Sequence, residues 1–182
     1  MKFTIAQIHA LRPCNMAPGE KYSRENLKKL FGGNSIDALK FLDLDIPEED
    51  RLWVILRLDF LPDNRKRLLA ADFAERVLPI YEKKYPGRTA IRDCIRGVRD
   101  FVVGKITRVQ LDKLRQAAFA DAFAAAAAFA DAAFAATAAD AAFAAAAAAA
   151  AARKKERQAQ IALVREALKA ELKRRKSKKG SR

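Results

Sequence analysis

The sequence predicts an all-α protein: a compact multi-helix bundle, then a long alanine-rich helical hairpin and a basic C-terminal helix. Three observations carry that expectation. Apolar residues of the first part recur at intervals of three and four. Residues 117–152 hold 27 alanines, five phenylalanines, three aspartates and one threonine. No glycine or proline falls between Gly104 and Gly180, so that stretch contains neither of the strong helix breakers.

In chain order, Ser23 is placed to cap a short helix ending at Leu30 or Phe31, where Gly32-Gly33 supplies positive φ at no steric cost. Asn34 or Ser35 then starts another helix, with Ile36, Leu39 and Phe41 inward. Pro47 followed by Glu48, Glu49 and Asp50 reads as a helix first turn, its acids complementing the macrodipole. Leu52, Trp53, Ile55 and Leu56 are its apolar residues. After the turn Leu61-Pro62-Asp63-Asn64, a longer helix runs to about Tyr85, with Leu69, Phe73, Val77, Ile80 and Tyr81 as its stripe and Pro79 inside it. Pro86-Gly87 ends it.

Thr89 caps the next helix, which aligns Ile91, Cys94, Ile95, Val98, Phe101 and Val102 on one face and closes at Gly104. Gly97 inside it costs nearly 1 kcal/mol relative to alanine, which marks a close approach by a neighbouring helix. Thr107 and Gln110 spell a capping box, and Ile106 with Leu111 the accompanying staple.

Alanine makes the tract helical, but a straight helix over 116–152 would extend about 55 Å, beyond the breadth of the preceding domain. At about 100° per residue, Phe119, Phe123 and Phe134 share a face, whereas Asp140 falls between Phe129 and Phe143. A bend between Ala135 and Asp140, capped by Thr137 or Asp140, removes the carboxylate from the aromatic seam. The expected organisation is therefore a short-helix region at 1–62, a bundle at 63–175 including the hairpin at 117–152, and a disordered basic tail at 176–182.

The net charge of +14 is uneven. Residues 1–115 carry 23 Lys/Arg against 16 Asp/Glu, residues 116–152 three aspartates alone, and residues 153–182 13 Lys/Arg against three Glu. Such an end attracts polyanions. The candidates for polyanion binding are Arg153, Lys154, Lys155, Lys173, Arg174, Arg175, Lys176, Lys178 and Lys179. A second basic feature, Arg88, Arg92, Arg96 and Arg99, runs opposite the apolar face of its helix and is the candidate partner-binding stripe. The acidic run Asp43, Asp45, Glu48, Glu49 and Asp50 belongs to a helix start and reads as structural.

One histidine, two distant cysteines and the lack of phosphate-loop or nucleophile-elbow motifs leave no catalytic, cofactor-binding or metal-binding residue to nominate. Cys14 and Cys94 read as buried thiols in a reducing cytoplasm. The first residues do not resemble a signal peptide, and the aspartates of the alanine tract deny it the roughly 20 apolar residues of a membrane span.

The stretch VLPIYEKKYPGRTAIRDCIRGVRDFVVGKI (Val77 to Ile106), followed by an alanine tract with recurring aromatics, resembles alanine-rich all-helical proteins of bacteria and phages, some described as immunity proteins. The opening LRPC (Leu11 to Cys14) resembles the beginnings of such phage-borne proteins. The resemblance covers about residues 65–170 and implies a small non-enzymatic binder of another protein. It carries no functional residue over, and the phenylalanines and basic tail depart from its pattern. The leading expectation is thus a protein-interaction module with an acidic partner. The alternative is an accessory nucleic-acid-binding protein using the basic end and the arginine stripe.

Overall fold

The computed structural model describes residues 1–14, 17–135 and 139–180, and the side chains of these except 125–135, 139–151 and 179–180. Among the described residues the architecture is helical, with eight helices and one two-stranded sheet. No helix there is long and apolar enough to cross a membrane. The chain divides into two compact units, 1–62 together with 151–182, and 63–150.

The first unit begins with β1 (Lys2–Thr4), which passes directly into α1 (Ile5–Ala10) through a capping box. The Gln7 amide donates to Thr4 Oγ1 at 3.3 Å, and the Thr4 amide donates to Gln7 Oε1 at 2.9 Å. Ser23 caps α2 (Arg24–Phe31) by accepting from the Asn26 amide, and Gly32 ends it at φ 65°. Where the sequence predicts a helix from Asn34 or Ser35, the chain instead forms β2 (Ser35–Asp37) and only then α3 (Ala38–Phe41). β2 pairs antiparallel with β1, Phe3 opposite Ile36. Three residues are too few for the period of 2 to declare itself, and the pairing partner lies far upstream.

α4 (Glu48–Arg57) starts after Pro47, as its acids predict, and buries Leu52, Val54 and Ile55. The core of this unit is aromatic. Phe3 lies 5.2 Å from Phe41, 5.6 Å from Phe60 and 6.1 Å from Phe31, centroid to centroid.

The second unit contains α5 (Asp63–Lys84), α6 (Ala90–Val102) and α7 (Arg108–Ala135). Its core joins Ala71, Leu78 and Ile95, with Ala74, Ile91 and Val98 packed against them. The predicted stripe of α5 is therefore displaced. Leu69 is buried, but Val77 and Ile80 are 42% and 71% exposed, because α6 packs on the side carrying the small residues Ala71 and Ala74. Thr89 occupies the N-cap position of α6 without a side-chain hydrogen bond. Gly97 does mark a close approach: a Cβ there would stand 2.4 Å from Leu114 Cδ1 of α7. The predicted capping box starts α7, the Gln110 amide donating to Thr107 Oγ1 at 3.3 Å and the Thr107 amide to Gln110 Oε1 at 2.8 Å.

The alanine tract is divided between α7 and α8 (Ala139–Gly180). Asp140 thus falls in the first turn of α8 rather than ahead of it, while the expected bend and Thr137 lie outside the described residues. Beyond the tract, Ile161, Val164, Ala167 and Leu168 are buried within the first unit. This corrects the expected division at 63–175. The C-terminal segment belongs with residues 1–62, because its apolar stripe completes their core. The stretch from 176, expected to be disordered, continues α8 to Gly180. Cys14 is exposed and Cys94 half-buried, where both were expected to be buried. Burial pushes the Cys94 thiol above its ordinary pKa.

Candidate functional site

α5 and α7 engage most of the arginine stripe. The Arg99 guanidinium donates to Asp72 at 2.9 Å and to Glu75 at 2.7 Å, and these carboxylates raise its pKa. Arg92 reaches Glu82 at 2.6 Å. Arg88 donates to the Asp121 carboxylate at 2.9 Å and to its backbone carbonyl at 3.2 Å, and the Tyr81 hydroxyl donates to the same carboxylate at 2.8 Å. Arg96 is exposed and makes no ion pair among the described residues. Arg88, Arg92 and Arg99 are 37%, 51% and 36% exposed, so solvent screens these pairs and they add little to stability. Their geometric effect is to tie α6 to α5 and the Asp121 turn of α7. Little charge is left for an external partner.

The basic C-terminal segment divides by helix face. Its inward cations find partners in the first unit. Arg157 donates to Glu49 at 2.9 Å and Arg165 to Asp43. Two members of the acidic run before and within α4, Asp43 and Glu49, thus pair with α8. Arg175 donates to the Phe60 carbonyl at 3.0 Å, and both Arg174 and Arg175 grip Glu171. Exposed are Arg153, Lys154, Lys155, Lys173, Lys176 and Lys178, of which Lys155, Lys173 and Lys176 lie on the face opposite buried Val164. Arg153, Lys155, Lys173, Lys176 and Lys178 form no ion pair among the described residues. The side chain of Lys179 lies outside the described residues.

Glu171 is only 6% exposed, and the Arg174 hydrogen bond, with Arg175, holds its carboxyl down at about 2 from an ordinary 4.5. A carboxyl whose folded pKa is depressed stabilises the fold fully above its unfolded value and loses that contribution as pH falls through the folded value. Stability of the first unit should accordingly drop between about pH 4.5 and pH 2. Glu171→Gln should flatten that part of the profile, with a neutral-pH cost of about 1–2 kcal/mol after discounting for its half-exposed arginine partners. Denaturant titrations of both proteins across that range check this, and an unchanged slope in the variant would exclude Glu171 as the source.

A feature that the sequence reading missed is a cavity of about 340 Å³ in the first unit. Ile8, Phe41, Ile46 and Val54 form much of its apolar wall, with Trp53 beside them. Its polar side carries Lys21, Tyr22 and Asp50. The Tyr22 hydroxyl donates to Asp50 Oδ2, Lys21 Nζ lies 3.7 Å from the same oxygen, and burial pushes the Tyr22 phenol upward, helped by the Asp50 contact. Glu49, Pro13 and Cys14 also line it. These residues come from α1, the loop before α2, α3 and α4, so no local motif announces them. The sole sequence signal is the i, i+4 placement of Glu49 and Trp53 on one helix face.

Among the described residues no group of three His, Cys, Asp or Glu side chains could hold a metal ion. Compared with protein-family models, curated proteins and solved structures, the chain gives no match in any of the three.

Proposed function

We propose that this chain is a non-catalytic accessory protein that binds the phosphate backbone of nucleic acid through the outward face of α8. The observation that supports the reading is the division of cations just described. Three of the four stripe arginines are engaged by carboxylates of their own unit, whereas Lys155, Lys173 and Lys176 of α8 are left to solvent. On a helical wheel, Lys155, Lys169, Lys173 and Lys176 fall within about 60° of one another, away from buried Val164 and Leu168. Lys169 pairs with Glu166 at 2.9 Å, an exposed contact that phosphate can displace. Residues 1–62 hold nine Lys/Arg and nine Asp/Glu, so the positive charge of the first unit comes from α8 and its C-terminal end.

Phosphate contacts of this kind release counterions and make affinity fall with salt, by a slope of about 0.9 per contact on duplex DNA. The triple variant Lys155→Gln, Lys173→Gln, Lys176→Gln should lower the slope of log K against log salt by about 2–3. It should leave the helical circular dichroism intact, because all three side chains point away from the core. Fluorescence anisotropy of a labelled oligonucleotide between about 50 and 200 mM salt reads this directly. Salt-independent binding, or a slope unchanged by the substitutions, would reject the proposal.

A second reading, a protein-docking module of the kind the immunity-protein resemblance implies, is supported by Phe119 and Phe123. These adjacent-turn residues on α7 are 74% and 70% exposed. It predicts a partner that is retained on the protein after nuclease treatment and lost on Phe123→Ser.

A further inference from the structure

We infer that the cavity beside Trp53 takes one unstacked base, so that the nucleic acid this protein prefers is single-stranded. The inference rests on the α8 reading and deepens it. A basic helix face alone cannot distinguish single strands from duplex, since both offer phosphates. Single-strand selectivity requires an aromatic surface on which a splayed base can stack. The basic end of α8 contains no aromatic residue, but α4, which α8 contacts through Arg157 and Glu49, carries Trp53.

Glu49 and Trp53 are one turn apart on α4, and both line the cavity. Glu49 is also the residue that Arg157 of α8 holds at 2.9 Å. Arg153, one turn before Arg157, falls on the same side of α8 as Arg157, so a phosphate that it holds is on the side of the helix that meets Glu49. The indole is half-buried, with the Arg57 guanidinium 4.5 Å from its ring centre, which fixes its plane. Tyr22 offers a second ring at the edge.

The polar side of the cavity matches the edge of a base rather than a phosphate or a simple hydrocarbon. Asp50 uses Oδ2 for the Tyr22 hydroxyl and Lys21, leaving Oδ1 to accept from an exocyclic amino or ring imino group. Lys21, about half exposed, retains protons for a ring carbonyl. Donor and acceptor thus stand side by side, as they do on the edges of cytosine and guanine. The two carboxylates do not repel an approaching strand as bare charges would. Glu49 is paired with Arg157, and Asp50 is contacted by Lys21 and Tyr22. A volume of about 340 Å³ sits at the small end of ligand sites and suits one ring system.

Trp53 is the single tryptophan of the chain, so its emission reports on this cavity without labelling. The test titrates the full-length protein with short oligodeoxycytidine, with the same strand annealed to its complement, and with inorganic polyphosphate. Anisotropy of labelled strands and competition by polyphosphate follow binding in parallel. The expected result is strong quenching of Trp53 by the single strand and little by polyphosphate or duplex. Trp53→Leu should weaken single-strand binding about tenfold, in the range of one lost base–aromatic stack. Trp53→Phe should restore most of it, and both variants should bind polyphosphate as the parent does. Single-strand binding without quenching, or equal quenching by polyphosphate, overturns the base pocket and leaves the α8 proposal standing. Absence of binding to any polyanion overturns both.

Discussion

Cutting the chain after residue 152 should abolish the cooperative unfolding of the first unit rather than trim a dispensable tail. The cut removes Ile161, Val164, Ala167 and Leu168, all buried, with Val164 and Leu168 fully so. Each large aliphatic side chain contributes about 1.5–3 kcal/mol by burial, and a whole domain is stable by only about 5–15 kcal/mol. The Arg157–Glu49 and Arg165–Asp43 contacts go as well, leaving the acidic residues unbalanced. Leu168→Ala isolates the packing contribution and should cost about 2–5 kcal/mol. Trp53 fluorescence against denaturant measures both. A truncated protein with the parent's transition would show that the core closes without α8. The same physics decides how the basic end should be probed: charge-neutral substitutions on the outward face test binding, whereas deletion of 153–182 removes core and charge together.

Phe3→Ala should destabilise the first unit by about 3–5 kcal/mol, the ordinary cost of deleting a buried aromatic ring. Phe3 is 1% exposed and touches Phe31, Phe41 and Phe60, so its ring joins β1 to α2, α3 and the segment after α4. Its loss also weakens the β1–β2 pair, which has only three residues in each strand and no other sheet partner among the described residues. Phe3→Leu, which retains apolar volume but loses the edge-to-face contacts, should cost distinctly less. Thermal melts of the two variants separate the cases. Equal midpoints for the two variants would place the value of the site in the ring contacts rather than in apolar volume.

Much of the helical content was legible in the sequence because its signals are local. Ser23 and Gly32 bracket α2, the acids after Pro47 start α4, and the Thr107–Gln110 pair opens α7. Gly97 was legible as a close approach because a glycine inside a helix needs a reason, and Leu114 is that reason. The strand at Ser35–Asp37 was not legible, since what makes it a strand is a partner more than thirty residues earlier. The α5 stripe failed for a related reason. Periodicity marks every apolar side of a helix, but α6 covers only the side where Ala71 and Ala74 let it come close.

The candidate sites divide in the same way. Composition identified both basic features, because charge is additive and needs no coordinates. Composition could not say which cations already have partners. Arg88, Arg92 and Arg99 are separated from Asp121, Glu82, Asp72 and Glu75 by 10 to 33 residues, and only folding brings them within 3 Å. The Trp53 cavity gathers residues from four segments, none of which carries a motif by itself.

By itself the sequence determined the helical class, the caps, the breaks and the charge of the C-terminal end, all properties set by neighbours within a few residues. Tertiary structure alone decided that the C-terminal part of α8 belongs to the N-terminal core, that three of the four stripe arginines are engaged internally, and that Trp53 lines a cavity with Glu49, which α8 contacts through Arg157. The physical reason is that burial and ion pairing depend on which surfaces meet. Surfaces distant in the chain meet only after the entropy of closing long loops has been overcome.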